Sequence, residues 1–185
     1  MIDDVLKETR NKMKSTLSVY EQDLQGIRSN RASTGLVDRL EVEYYGQPTE
    51  LRQLANISTP EPMQILIRPF DGSAVKAIER AIMEANIGMQ PNTDGTQIRL
   101  NMPPLTRERR VELIKVLHKR AEDARVSLRN IRRGAIEDMK EFEREKMISE
   151  DDLEHGESEV QKLIEQFSAQ VDELTKNKEK EMMEV

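Results

Sequence analysis

Arg125, Arg129 and Arg132 are spaced four and three residues apart. On a helix advancing 100° per residue they share an arc of about 60°, with Arg133 at its edge. A guanidinium group carries a permanent positive charge and a planar fork of donors that meets a phosphate through paired hydrogen bonds. A row of such forks is therefore suited to a polyanion backbone. The same residues also permit a plainer reading, as a solvated face or as bridges to acidic residues of the following helix, for instance Glu157 or Glu159. Residue types alone leave both open. Local charge is uneven: Lys and Arg outnumber Asp and Glu by 10 to 4 over 105–133 and are outnumbered 17 to 7 over 134–185, although the whole chain has a net charge of only −6. A net-acidic protein can thus carry a polyanion-binding edge.

Other reactive residue types form no comparable pattern. The two histidines, His118 and His155, lie in different helical segments and outside any metal or nucleophile motif. His155 is surrounded in sequence by Asp151, Asp152, Glu154 and Glu159, which reads as a solvated surface. The many carboxylates of 137–184 have no spacing that nominates an acid and base pair, and Gly134 and Gly156 fall within helical patterns rather than phosphate-binding loops. The ten methionines are spread along the chain as core filler. Accordingly, no catalytic residue, metal ligand or cofactor is expected. With no cysteine there is neither disulfide nor thiolate chemistry, which fits a reducing compartment. No stretch resembles a signal peptide or a membrane span, so a cytoplasmic protein is expected.

The elements that would position the arginines are long helices. At 185 residues, 36% apolar and 35% charged, with three Phe, three Tyr and no Trp, the chain must pack mainly through aliphatic side chains. Leu6, Met13, Leu17, Tyr20, Leu24 and Ile27 make one stripe over 2–29; Gly26 within it disfavours helix, so a helix running through it needs close packing or a nearby terminus to explain it. Thr106 can cap a second helix over about 106–146, with Ile114, Leu117, Ala121, Ala124, Leu128, Ile131 and Ala135 on its seam; about 41 residues would span ~60 Å. Ser149 and Asp152 form a capping-box variant, and Ile148 and Leu153 can act as a hydrophobic staple at a third start. The third stripe is Val160, Leu163, Ile164, Phe167, Val171 and Leu174, and the charged residues from Lys176 on are expected to fray.

Between the first two helices, residues 31–104 have strand and turn chemistry. Leu40 to Tyr44 alternate as a half-exposed strand before a turn at 45–48, and Ile65-Leu66-Ile67 reads as a more buried strand after the interruptions at Pro60 and Pro62. A helix capped by Asp71 or Ser73 carries Val75, Ile78, Ile82 and Ala85 on one face. Pro91 to Gly95 reads as a turn, and Gln97 to Met102 as a strand stopped by Pro103-Pro104. The expected fold is therefore α+β: a discontinuous three-helix bundle from 1–30 and 105–185, with a small α+β domain, 31–104, inserted in it. The two connections, around Arg31, Ala32 and Ser33 and around Pro103, Pro104 and Leu105, are a natural two-stranded hinge. The bundle supplies its own helix partners, so a monomer is expected.

Several stretches together resemble the bacterial-type ribosome recycling factor family over essentially the whole chain. They are Ile27-Arg28 with Arg31-Ala32-Ser33, Val42 to Gly46, Leu51 to Ala55, Pro103 to Thr106 with Glu108-Arg109-Arg110, Ala124-Arg125-Val126 with Arg129 to Arg133, and Ile148 to Asp152. The resemblance implies an L-shaped pair of domains and a noncatalytic translation factor. Such a factor binds the large ribosomal subunit after termination and, with elongation factor G and the GTP that this partner hydrolyses, separates the subunits. It also implies rRNA contact by Arg110, Arg129 and Arg132, with Arg133 as a neighbour; Arg125 joins them from the arginine row, and neither DNA nor a membrane is expected as a partner. Ser29-Asn30 stands where many members of the family have Thr-Gly, a local departure beside the expected hinge. A different class of function compatible with the stripes is a helical adaptor that binds another helical protein and uses its arginines for solubility.

Overall fold

The computed structural model describes residues 1–184. They form five α-helices, α1 (Ile2–Gln25), α2 (Leu51–Leu54), α3 (Val75–Ala85), α4 (Arg107–Arg144) and α5 (Glu150–Met183). There are six strands, β1 (Glu41–Tyr44), β2 (Gln47–Glu50), β3 (Ala55–Glu61), β4 (Gln64–Pro69), β5 (Pro91–Asp94) and β6 (Gln97–Asn101). They divide into two compact units, one of Met1–Leu24 and Ile114–Lys180, the other of Gln25–Leu113 with the residues from Glu181 on.

The first unit is a bundle of three long helices. Met13, Tyr20 and Leu24 of α1, Leu117, Ala121, Leu128 and Met139 of α4, and Val160, Phe167 and Val171 of α5 are all buried. Burying such side chains contributes about 1.5–3 kcal/mol each, which supports helices far longer than their intrinsic propensity would. The Tyr20 hydroxyl meets Thr175 Oγ1 inside the core, so its polar group is satisfied, and Thr175 in turn donates to the Val171 carbonyl at 2.7 Å. Near the opposite end, Ala135, Met139 and Val160 pack with Ile2, Val5 and Leu153. There Gly156 faces Met139 closely: a Cβ on it would run into Met139 Sδ.

The starts and stops of these helices follow local chemistry. Arg109 N donates to Thr106 Oγ1 at 3.1 Å, and Ser149 and Asp152 exchange reciprocal hydrogen bonds of 3.0 Å at the start of α5. Helix α4 closes with Lys146 in the left-handed region, φ 58°. Two expectations need correction. The α1 helix ends at Gln25, short of the 2–29 stripe, and the nearby terminus accounts for Gly26. The tail from Lys176 does not fray: α5 runs to Met183, because Met182 is buried and Thr175 is tied into the core. Val185 lies outside the described residues.

The second unit contains a four-stranded antiparallel sheet in the order β3-β4-β6-β5 and a separate β1-β2 hairpin. Ile65 and Ile67 of β4, Ile98 and Leu100 of β6, and Val75, Ile78 and Ile82 of α3 share its core with Val42 and Leu51. The β1-β2 turn places both Tyr45 (φ 49°) and Gly46 (φ 77°) in the left-handed region, the twist that a two-residue hairpin demands. Tyr44 donates to Asp71 Oδ2 at 2.9 Å while Asp71 Oδ1 accepts from Ser73 N, so one carboxylate ties β1 to the turn before α3. That bond is the chief reason the Tyr44 hydroxyl is pushed up to about 12.

The strand pattern is richer than expected. Pro91–Asp94 is strand β5 rather than a turn; the turn sits at Gly95 (φ 55°) and Thr96. Pro91 needs no amide donor because β5 is an edge strand. Residues 47–50 likewise pair as β2 despite Pro48. β3, at the other edge, absorbs Pro60 where its register with β4 shifts between Ser58 and Glu61.

Candidate nucleic-acid interface

The arginine row is built on α4, which Thr106 caps and which is anchored by Leu117, Ala121, Ala124, Leu128 and Ala135 in the buried seam. Because the arginines interleave with that seam, packing of the helix fixes their starting points. Their distal groups differ. Arg125 is half-buried and bridges to α5, with Nη2 2.7 Å and Nε 3.2 Å from Asp172 Oδ1. Its Nη1 also lies 3.6 Å from Glu122. The Asp172 hydrogen bond is the main reason its pKa is raised. Arg129 is exposed and donates to Glu122 Oε1 at 2.7 Å. Arg132 is half-buried and Arg133 exposed; among the described residues neither has a hydrogen-bond or ion-pair partner.

Glu122 is the residue that sequence reasoning missed. Its carboxylate lies within reach of both Arg125 and Arg129, and the Arg129 hydrogen bond, followed by the charges of the two arginines, holds it below the ordinary carboxylate range. The signal was present in the spacing, since Glu122 precedes Arg125 by three residues and Arg129 by seven. Bridging to the third helix does occur, but through Asp172. Glu157 instead pairs with Lys140 at 3.6 Å and Glu159 with Lys162 at 2.7 Å.

Arg110 belongs to the part of α4 in the second unit. It is half-buried, and its Nε is buried with no partner among the described residues. The six residues expected at the hinge also lie in the second unit, and several are tied within it. Ala32 N donates to the Pro62 carbonyl at 2.6 Å, Ser33 Oγ accepts from Gly35 N at 3.3 Å, and the Pro103 carbonyl accepts from Arg28 Nη2. Arg31 and Pro104 are exposed and Leu105 is half-buried. The chain passes between units at Leu24/Gln25, Leu113/Ile114 and Lys180/Glu181.

His118 Nε2 is 3.5 Å from Glu179, and His155 is exposed. Among the described residues no group of three His, Cys, Asp or Glu side chains is placed to hold a metal ion. No described helix is long and apolar enough to cross a membrane.

Residues 20–183 match the family model described as ribosome recycling factor. This chain belongs to the ribosome recycling factor family. It is 46% identical, over 185 residues and the full length of both chains, to a ribosome-recycling factor of Dehalococcoides mccartyi strain CBDB1. To that of Pelobacter propionicus it is 47% identical over 181 residues, 98% of each chain. A solution structure of the ribosome recycling factor superposes with a TM-score of 0.76 at 42% identity, covering 100% of this chain and 98% of that one. A Thermus thermophilus recycling factor, in models with Escherichia coli elongation factor G bound to the post-termination complex, matches over 100% of both chains, with a TM-score of 0.68 at 38% identity. The family assignment accounts for an arginine-bearing helix in a three-helix bundle paired with a small α+β unit.

Proposed function

We propose that this chain binds rRNA of the large ribosomal subunit through Arg129, Arg132 and Arg133 of α4, with Arg110 and Arg125 contributing. In this reading it acts with elongation factor G to split the post-termination ribosome. Ribosome recycling itself is the role of the family to which the chain belongs. The observation that carries the residue assignment is the pair Arg132 and Arg133. They are cationic forks without internal partners among the described residues, based on a helix whose opposite side is locked in the bundle core. Phosphate contact uses their donors without first breaking an internal pair.

The protein supplies binding and leverage rather than bond-making, and the GTPase supplies the chemical energy. Bundle residues 1–30 and 105–185 form the docking part, the insert 31–104 is the part that moves, and bending at the connections between them transmits the movement. The factor works in the cytoplasm as a monomer. A reconstituted post-termination assay tests the reading: subunit splitting requires both this protein and the GTPase. Cosedimentation with purified large subunits is saturable, weakens as salt rises and resists competitor tRNA. Absence of saturable binding at low salt overturns it.

A further inference from the structure

An alternating run of charges links the arginines of α4 to α5: Asp172, Arg125, Glu122, Arg129. Asp172 Oδ1 accepts from Arg125 at two points, Nη2 at 2.7 Å and Nε at 3.2 Å. Glu122 lies 3.6 Å from Arg125 Nη1 and accepts from Arg129 Nη2 at 2.7 Å. We infer, on the footing of the rRNA contact proposed above, that Asp172 is a positioning residue of that site: it holds Arg125 in reserve, so that a phosphate reaches Arg125 only by replacing a carboxylate from another helix.

Packing delivers that carboxylate from a fixed base. Val171, the residue before it, is fully buried, and Thr175, one turn further along α5, meets the buried Tyr20 hydroxyl of α1. Helix α5 therefore cannot turn about its axis without breaking its core contacts. Arg125 and Asp172 lie close enough to Tyr20 for their charges to act on its hydroxyl, which places the pair directly over this anchored region. Two charge-assisted donors converge on Asp172 Oδ1, whereas Arg129 gives Glu122 a single one. The Nε and Nη2 edge that Asp172 occupies is one of those through which a guanidinium grips a phosphate.

Exchange sets the energetics. When Arg125 turns to a phosphate, the counterion released from the RNA is offset by a cation taken up at the vacated Asp172, so the contact adds little to the salt dependence. Without the carboxylate nothing offsets that release, and Arg125 joins as a full contact. The gain is that of an exposed ion pair no longer broken, about two- to fivefold in affinity.

The test measures cosedimentation of the full-length protein with purified large subunits across a salt series. Asp172→Asn binds about two- to fivefold tighter than wild type, with a salt slope steeper by about one counterion. The gain vanishes when Arg125→Ala is added. Glu173→Gln removes the same charge from the next residue of α5 and gives less than half the gain. Arg125→Ala breaks the same brace, so any loss of melting temperature that it shares with Asp172→Asn measures the structural cost apart from binding. In the free protein, NMR finds the Arg125 Nε–H protected from exchange in wild type and unprotected in Asp172→Asn. Unchanged or weaker binding by Asp172→Asn, an equal gain from Glu173→Gln, a gain that survives Arg125→Ala, or an unprotected wild-type Nε–H overturns the inference. Weakened binding by Arg132→Ala beside unchanged binding by Asp172→Asn overturns the reserve role alone. Unchanged binding by both Arg129→Ala and Arg132→Ala overturns the rRNA reading with it.

Discussion

At the residue scale, the arginines of α4 separate into a braced pair and an unbraced pair. Arg132→Ala and Arg129→Ala should each weaken binding to the large subunit by about 1.5–3 kcal/mol if a charge-assisted phosphate contact is lost, and lower the salt slope by about one counterion. Helical content and melting temperature should stay close to wild type. Arg→Lys should restore only part of the affinity, because the charge survives and the fork does not. Cosedimentation across a salt series measures all three, and unchanged binding in both alanine variants would return these residues to an ordinary solvated face. Glu122 has the opposite role. It occupies Arg129 and lies near Arg125 in the same manner as a phosphate, so it must be displaced when they engage one. Glu122→Gln should tighten subunit binding about two- to fivefold, the range of a surface ion pair. Asp123→Asn, one residue further along α4, removes the same charge without releasing an arginine and should do less. An equal gain in both would mean that only general electrostatics had changed.

At the element scale, the two helical glycines of the bundle give opposite predictions. Nothing lies within 4 Å of the position a Cβ would take on Gly134, whereas on Gly156 it would collide with Met139, fully buried behind it. Gly134→Ala should raise stability by about 0.5–1 kcal/mol through helix propensity alone. Gly156→Ala should lower it, because overpacking costs of about 1–3 kcal/mol outweigh the same propensity gain. Thermal denaturation of the two variants decides the matter; stabilisation by Gly156→Ala would show that Met139 can swing aside. The sequence placed both glycines within helical patterns and could not tell them apart, since contact across helices leaves no trace in local spacing. The long helices were legible because their apolar stripes repeat over many turns. Strands β2, β3 and β5 were not, because Pro48, Pro60 and Pro91 signal interruption locally, yet edge positions and a register shift accommodate them.

At the scale of the whole molecule, the proposed bending between units predicts a separation of binding from splitting. A verified disulfide between two introduced cysteines, one on each unit, should leave binding to the large subunit intact and suppress GTPase-dependent subunit separation. The absence of native cysteine removes competing thiols. Full splitting activity in the cross-linked protein would exclude bending as an essential step. The sequence by itself determined the family, the α+β class, the order of the long helices and the arginine row, because each is written in contiguous spacing or in ordered local motifs. Only the tertiary structure decided which cations are already neutralised: Arg125 meets Asp172 from another helix, 47 residues away, and a one-dimensional pattern had pointed to Glu157 or Glu159 instead. Electrostatic coupling falls off with distance through space, and that distance is set by how helices and strands pack.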